Sequence, residues 1–171
     1  MKKNIILIAA IIAFSFSIKA QTTEQIVANF KTLVEEATSD FKNVKGELIV
    51  NDSTTSTTFY NCTKTLGSAF EAVCINTSDN STYFSSKFEF SETKELLKAN
   101  EILPEIVNEV NAMVKSGKYS GRDYKKTETI DITEVKDLDG NYIIEIESKY
   151  DPAGTNNYLM FVIYGKSWGK K

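Results

Sequence analysis

The chain contains no histidine, and among its 171 residues there are only two cysteines, two prolines, one tryptophan and a single arginine, Arg122. Without histidine the commonest general base is missing. So are the usual Ser-His and Cys-His nucleophile pairs and the commonest metal ligand. Two thiols alone fall short of the four ligands that structural zinc takes. No cofactor or metal is therefore expected, and ordinary catalysis is disfavoured. The shortage of arginine excludes a further class. A nucleic-acid surface needs clustered Lys and Arg along the phosphates, whereas here 20 basic residues are interleaved with 23 acidic ones.

Long apolar runs are equally scarce. One stretch, from Ile5 to Phe16, follows Lys2-Lys3-Asn4 and precedes Ser17-Ile18-Lys19-Ala20. It is shorter than the ~20 residues that span a bilayer. A positive start, an apolar core and a small residue at the cut make residues 1–20 an export signal cleaved at about Ala20, although position −3 is Ile18. Lipid anchoring at the cut would need a cysteine there, and the first is Cys62. The Lys-Lys start, Ile-rich core and Lys-Ala-Gln ending resemble signals of the Bacteroidetes group of bacteria. The expected product is residues 21–171, periplasmic or extracellular, with no membrane span. Residues 1–20 carry three lysines and no acid, so the remainder has 17 basic and 23 acidic residues, a net charge of −6.

Cys62 and Cys74 are the only cysteines. In an oxidising compartment a pair at this spacing is expected to be bonded, and such a loop would contribute about 3 kcal/mol in the chain-entropy model. The spacing is not the Cys-x-x-Cys of redox catalysts.

About 150 residues suit one domain. Ile26, Phe30, Leu33, Val34, Ala37 and Phe41 trace one helical face, with Thr22 and Gln25 placed as a capping box. Strands are expected at 47–50, 57–62, 72–76 and 82–90, the last with Phe84, Phe88 and Phe90 on one parity and Tyr83 on the other. A helical stretch opens at residues 91–93, divided or kinked by Pro104 and stopped by Gly117. Three more strands follow at 127–135, 141–150 and 158–164, the first two joined by an Asp139-Gly140 turn. Apolar residues at both parities of 158–164 imply a strand inside the sheet. The expected fold is α+β, with the N-terminal helix and a central helix pair packed on one antiparallel sheet. Helix-then-strands occurs twice, and Ser39-Asp40-Phe41-Lys42 echoes Arg122-Asp123-Tyr124-Lys125, so duplication of a helix-plus-strands unit is one reading. The arrangement resembles small secreted inhibitors and chaperone-like adaptors that set helices against one sheet.

Five features bear on function. Tyr119, Tyr124, Tyr142, Tyr150, Tyr158, Tyr164 and Trp168 concentrate amphipathic aromatics in the C-terminal half. Such rings bury large apolar areas while one polar group stays wet, which suits an interaction surface and also the packing of sheet on helix. Glu145 and Glu147, two apart on one strand, would share a face, as a carboxylate pair for glycoside hydrolysis or as a wet face. Asp137-Leu138-Asp139-Gly140-Asn141 has part of a calcium loop's spacing but lacks its later acids, and a turn already accounts for it. Ser116-Gly117-Lys118 reads as a helix end rather than a Ser-Lys dyad. Asn51, Asn61, Asn76 and Asn80 begin N-glycosylation sequons, and Asp52-Ser53-Thr54 matches a bacterial O-glycosylation acceptor at Ser53. The leading expectation is a non-enzymatic binding domain for a protein, peptide or envelope component. A small apolar-ligand carrier and a carboxylate-dependent hydrolase are the alternatives.

Overall fold

The computed structural model describes residues 21–91, 93–151 and 156–169, with backbone alone at 123–125. Residues 1–20, the expected export signal, and the Tyr124 side chain lie outside the described residues. Helix α1 (Thr23–Glu36) starts at a complete capping box, in which Thr22 Oγ1 accepts from Gln25 N and Gln25 Oε1 accepts from Thr22 N. Ile26, Phe30 and Leu33 form its buried stripe. A 3-10 turn over Ala37–Ser39 ends the helix, and Asp40 and Phe41 are left-handed, with φ of 56° and 60°. Phe41 N donates to Glu36 O at 2.9 Å, which closes the helix end and sends the fully buried Phe41 ring inward.

Strands β1 (Lys45–Asp52), β2 (Thr57–Cys62), β3 (Phe70–Asn76) and β4 (Thr82–Glu89) come next, then helix α2 (Thr93–Lys115). Strands β5 (Tyr119–Lys126), β6 (Ile130–Asp137), β7 (Tyr142–Lys149) and β8 (Tyr158–Tyr164) complete the chain. All pair antiparallel in one eight-stranded sheet of order β1-β2-β3-β4-β8-β7-β6-β5. The protein is α+β. A helix followed by four strands occurs twice, and the order is symmetric about the β4–β8 seam. The echoing tetrapeptides are not equivalent in this arrangement, because 39–42 form the turn before β1 whereas 122–125 lie within β5.

Two points on which the sequence was open or silent have simple causes. Of a divided or a single stretch around Pro104, the structure has the single helix, with Pro104 inside it. Ala99, Ile102, Ile106 and Val110 keep a single buried stripe past it, and Pro104 is itself exposed, where water can satisfy the carbonyl its missing N–H leaves free. Strand β5 was not anticipated. It is an edge strand with a bulge between Asp123 and Lys125, and its Tyr-Ser-Gly-Arg-Asp-Tyr-Lys-Lys sequence lacks alternation because little of it has to be buried.

The register assigns each strand residue to a face. Val73, Phe84, Phe88, Val135, Ile144, Ile146, Leu159, Phe161 and Ile163 share one core with Ile26, Phe30 and Leu33 of α1 and with Ala99, Ile102, Ile106 and Val110 of α2. The buried Ala72, Cys74 and Val162 lie outside that core, on the other face.

The expected Cys62–Cys74 bond is absent, and both thiols are free. The β2–β3 register pairs Phe59 with Cys74 and Tyr60 with Val73. Cys62 is therefore an odd number of residues from Cys74's partner and projects to the opposite face, into the helix-side core. Two Cβ vectors on opposite faces of a sheet cannot be bridged. Burial pushes the Cys62 thiol up to about 11 and the Cys74 thiol up to about 12.

Candidate aromatic pocket and open sheet face

Large and small side chains alternate in rows on the face away from the core. Phe59, Cys74, Tyr83 and Tyr164 are successive cross-strand partners from β2 to β8. Two rows over, Phe70, Lys87, Met160 and Glu147 are partners in the same way. Between them run Ala72, Ser85 and Val162, then Glu145 and Glu134. Ala72, Ser85 and Val162 are buried, while Phe70, Lys87 and Met160 remain partly or well exposed, so small residues floor a trough across the strands.

At the Tyr164 end the trough meets a pocket of about 390 Å³. Val34 from α1, Ala37 from the 3-10 turn after it and Ile143 from β7 supply its apolar floor. Tyr119, Tyr142, Tyr164 and Trp168 form its walls, and Thr38, Asp137, Asn141 and Lys166 its rim. The Tyr142 and Tyr164 rings are 5.7 Å apart, Tyr164 and Trp168 4.7 Å, and Tyr83 packs edge-on to Trp168 at 5.5 Å.

Tyr142 is at this pocket because of a bulge. The β6–β7 register slips between Val135 and Lys136, so Ile144 pairs with Val135 and Tyr142 with Lys136. The extra residue, Ile143, packs against the core, and Tyr142 joins the face of Glu145 and Tyr164, whereas simple alternation would have placed it with Ile144 and Ile146. Lys136 Nζ lies 3.9 Å from the Tyr142 ring centroid. The neighbouring turn at 137–141 is closed by Asp137, whose carboxylate accepts from Asp139 N, Asn141 N and Asn141 Nδ2. Its acidity is raised first by the Asn141 side chain.

Residues 165–168 hold Trp168 in place. Lys166 N donates to Ala37 O at 2.7 Å, Gly165 N to Thr82 O at 2.9 Å, and Ser167 N to Asp40 Oδ1 at 2.8 Å. Thr82 Oγ1 donates to the same Asp40 oxygen at 2.8 Å. Burial opposes the charge on Asp40, but the Ser167 and Thr82 hydrogen bonds and nearby Lys42 outweigh it and hold the carboxyl below its ordinary range. A Cβ on Gly165 would sit 2.0 Å from Thr82 Oγ1, so no larger residue fits there without displacing the cluster.

The remaining sequence candidates are dispersed. Tyr158 donates to Glu147 Oε1 at 2.7 Å and lies under Lys87 and Lys149, at 4.9 and 5.9 Å from its ring centroid. Tyr150 is well exposed beyond the end of β7. Ser53 is exposed in the β1–β2 turn, beside Asp52, whose carboxylate accepts from Thr54 N and Thr55 Oγ1. Glu145 and Glu147 share the open face, and Glu145 Oε2 accepts from Tyr164 at 3.3 Å. Burial, then the charges of Glu147 and Glu134, push the Glu145 carboxyl up. Glu134, 3% exposed, meets Arg122 and Lys136 at 3.5 and 3.4 Å.

The aromatic pattern thus located four pocket residues. It missed Tyr83, whose parity opposite Phe84 was the available signal, and Asp40, Lys42 and Lys166, for which the sequence holds no local signal. Among the described residues no helix is long and apolar enough to cross a membrane, and no group of three or more acidic or cysteine side chains is placed to hold a metal. No family model, curated protein or solved structure matches the chain.

Proposed function

We propose that the chain is an exported, non-enzymatic binding domain that takes a protein or peptide partner on its uncovered sheet face, anchored in the aromatic pocket. One observation carries this reading. Tyr119, Tyr142, Tyr164 and Trp168, from three separate segments, converge on one open pocket that continues into a face rich in half-exposed large side chains. Rigid aromatic rings around an open depression are what partner hot spots use, because they bury much area at little entropic cost. The apolar-ligand carrier is less well supported, since the pocket is open to solvent rather than enclosed. The hydrolase reading rests on the raised Glu145 carboxyl, yet Glu145 and Glu147 each accept from a tyrosine on the adjacent strand, as carboxylates of a hydrogen-bonded sheet face do.

The test is affinity capture from native envelope fractions with the wild-type chain, Trp168→Ala and the remote surface control Leu97→Ala. Partners retained by wild type and the control but lost by Trp168→Ala support the reading. Identical recovery by all three removes it.

A further inference from the structure

The geometry points to a partner segment of defined chemistry: an extended polypeptide that puts an aromatic or large aliphatic side chain into the pocket and acidic side chains beside it. This inference rests on the binding-domain reading and adds the partner's charge. The aromatic pocket shares Thr38 and Lys166 with a second, shallower depression that also includes Asp40, Lys42 and the hydroxyls of Ser39 and Ser167. The two together make an apolar slot opening onto a shelf edged by two ammonium groups.

The charges at this shelf are unequally used. Asp137 is occupied by its own turn and Asp40 by Ser167 and Thr82. Lys42 and Lys166 are exposed, and among the described residues neither forms an ion pair or a side-chain hydrogen bond. A carboxylate arriving there can pair with two exposed ammonium groups without breaking a hydrogen bond or a close ion pair, whereas a lysine or arginine would have to compete for carboxylates already holding internal donors. The lining as a whole is balanced, Lys42 and Lys166 against Asp40 and Asp137, so the preference rests on which charges are free to reach a ligand: the two exposed ammonium groups, not the two hydrogen-bonded carboxylates. A polypeptide fits better than a free small anion because Tyr142 and Tyr164 belong to both the pocket and the sheet face, so the slot opens sideways along the trough. A ligand confined to the slot would leave that face unburied.

Trp168 is the sole tryptophan and lines the slot, so its emission reports occupancy directly. The full exported chain is titrated with four probes: a Gly-Ser-flanked Phe-Glu-Glu peptide, the matching Phe-Lys-Lys and Ala-Glu-Glu peptides, and phenylacetate. The Phe-Glu-Glu peptide is expected to give a saturable change that weakens with salt, and both other peptides to bind about tenfold or more weakly. Lys42→Glu combined with Lys166→Glu, both at exposed positions, is expected to reverse the preference between the two Phe peptides. Equal binding of the Phe-Glu-Glu and Phe-Lys-Lys peptides overturns the acidic partner while leaving the pocket standing. Phenylacetate binding as tightly as the Phe-Glu-Glu peptide replaces the polypeptide with a small anion. No saturable response to any probe overturns the pocket reading itself.

Discussion

Ser167 N–H donates to Asp40 Oδ1 at 2.8 Å, joining the turn after the first helix to the segment after the last strand across 127 positions of sequence. This bond fixes where Trp168 stands, because Trp168 N in turn donates to Gly165 O at 3.0 Å within the same short segment. Asp40 is thus a positioning residue for the pocket.

Asp40→Ala should lower stability by about 1–2 kcal/mol, the range for charged hydrogen bonds discounted for partial solvent exposure, and should red-shift Trp168 emission. The sign with pH follows from the depressed carboxyl. Its stabilisation is fully present above the unfolded Asp value of about 3.9 and is lost as pH falls through the lower folded value. Denaturant melts from pH 6 down to pH 2 should therefore show wild type and Asp40→Ala converging only at the acid end. Parallel curves throughout would mean that Asp40 acts through shape rather than charge.

Glu145 should behave oppositely. Its raised carboxyl means that its favourable contribution is fully present below the unfolded Glu value and is lost as pH rises through the folded value. Glu145→Gln keeps an acceptor for the Tyr164 hydroxyl without the charge. It should melt higher than wild type at pH 7 and equal to it near pH 3. A Gln variant that is less stable at pH 7 would show the carboxylate to be favourable where it stands.

With Cys62 and Cys74 on opposite faces, stability should not depend on reductant. Alkylation of the unfolded chain without prior reduction should label both thiols, whereas the native chain should react slowly, since burial holds both thiols high. An intact mass lacking two hydrogens and two labels would establish a bond that this register forbids.

Pro104→Ala restores one helical hydrogen bond in the middle of α2 at an exposed position. An interior proline costs ~3 kcal/mol and returns ~1 kcal/mol through the unfolded chain, so a gain of about 2 kcal/mol is expected by denaturant melts. A loss would mean that the proline's φ restriction is what shapes α2.

The first helix, its capping box and the parity of Phe84 and Phe88 were all legible in the sequence, because each depends on neighbours within a few residues. So was the Asp139-Gly140 turn, where Gly140 takes φ of 83°. Local chemistry dictates such features wherever the segment ends up. Strand β5 was not legible, and the sequence left open whether α2 was divided at Pro104, since edge position and an exposed proline soften the local rules that sequence patterns rely on.

By itself the sequence determined which side chains were on hand: no histidine, two thiols, and tyrosines gathered toward the C-terminal end. Only the tertiary structure decided how they combine. One bulge at Ile143 turned Tyr142 onto the open face, an odd register offset set the two cysteines apart, and the Asp40–Ser167 bond brought Trp168 beside Tyr164. Each is a long-range or register effect. The chain's own order is silent on these, because a one-residue slip reverses a face without changing composition at all.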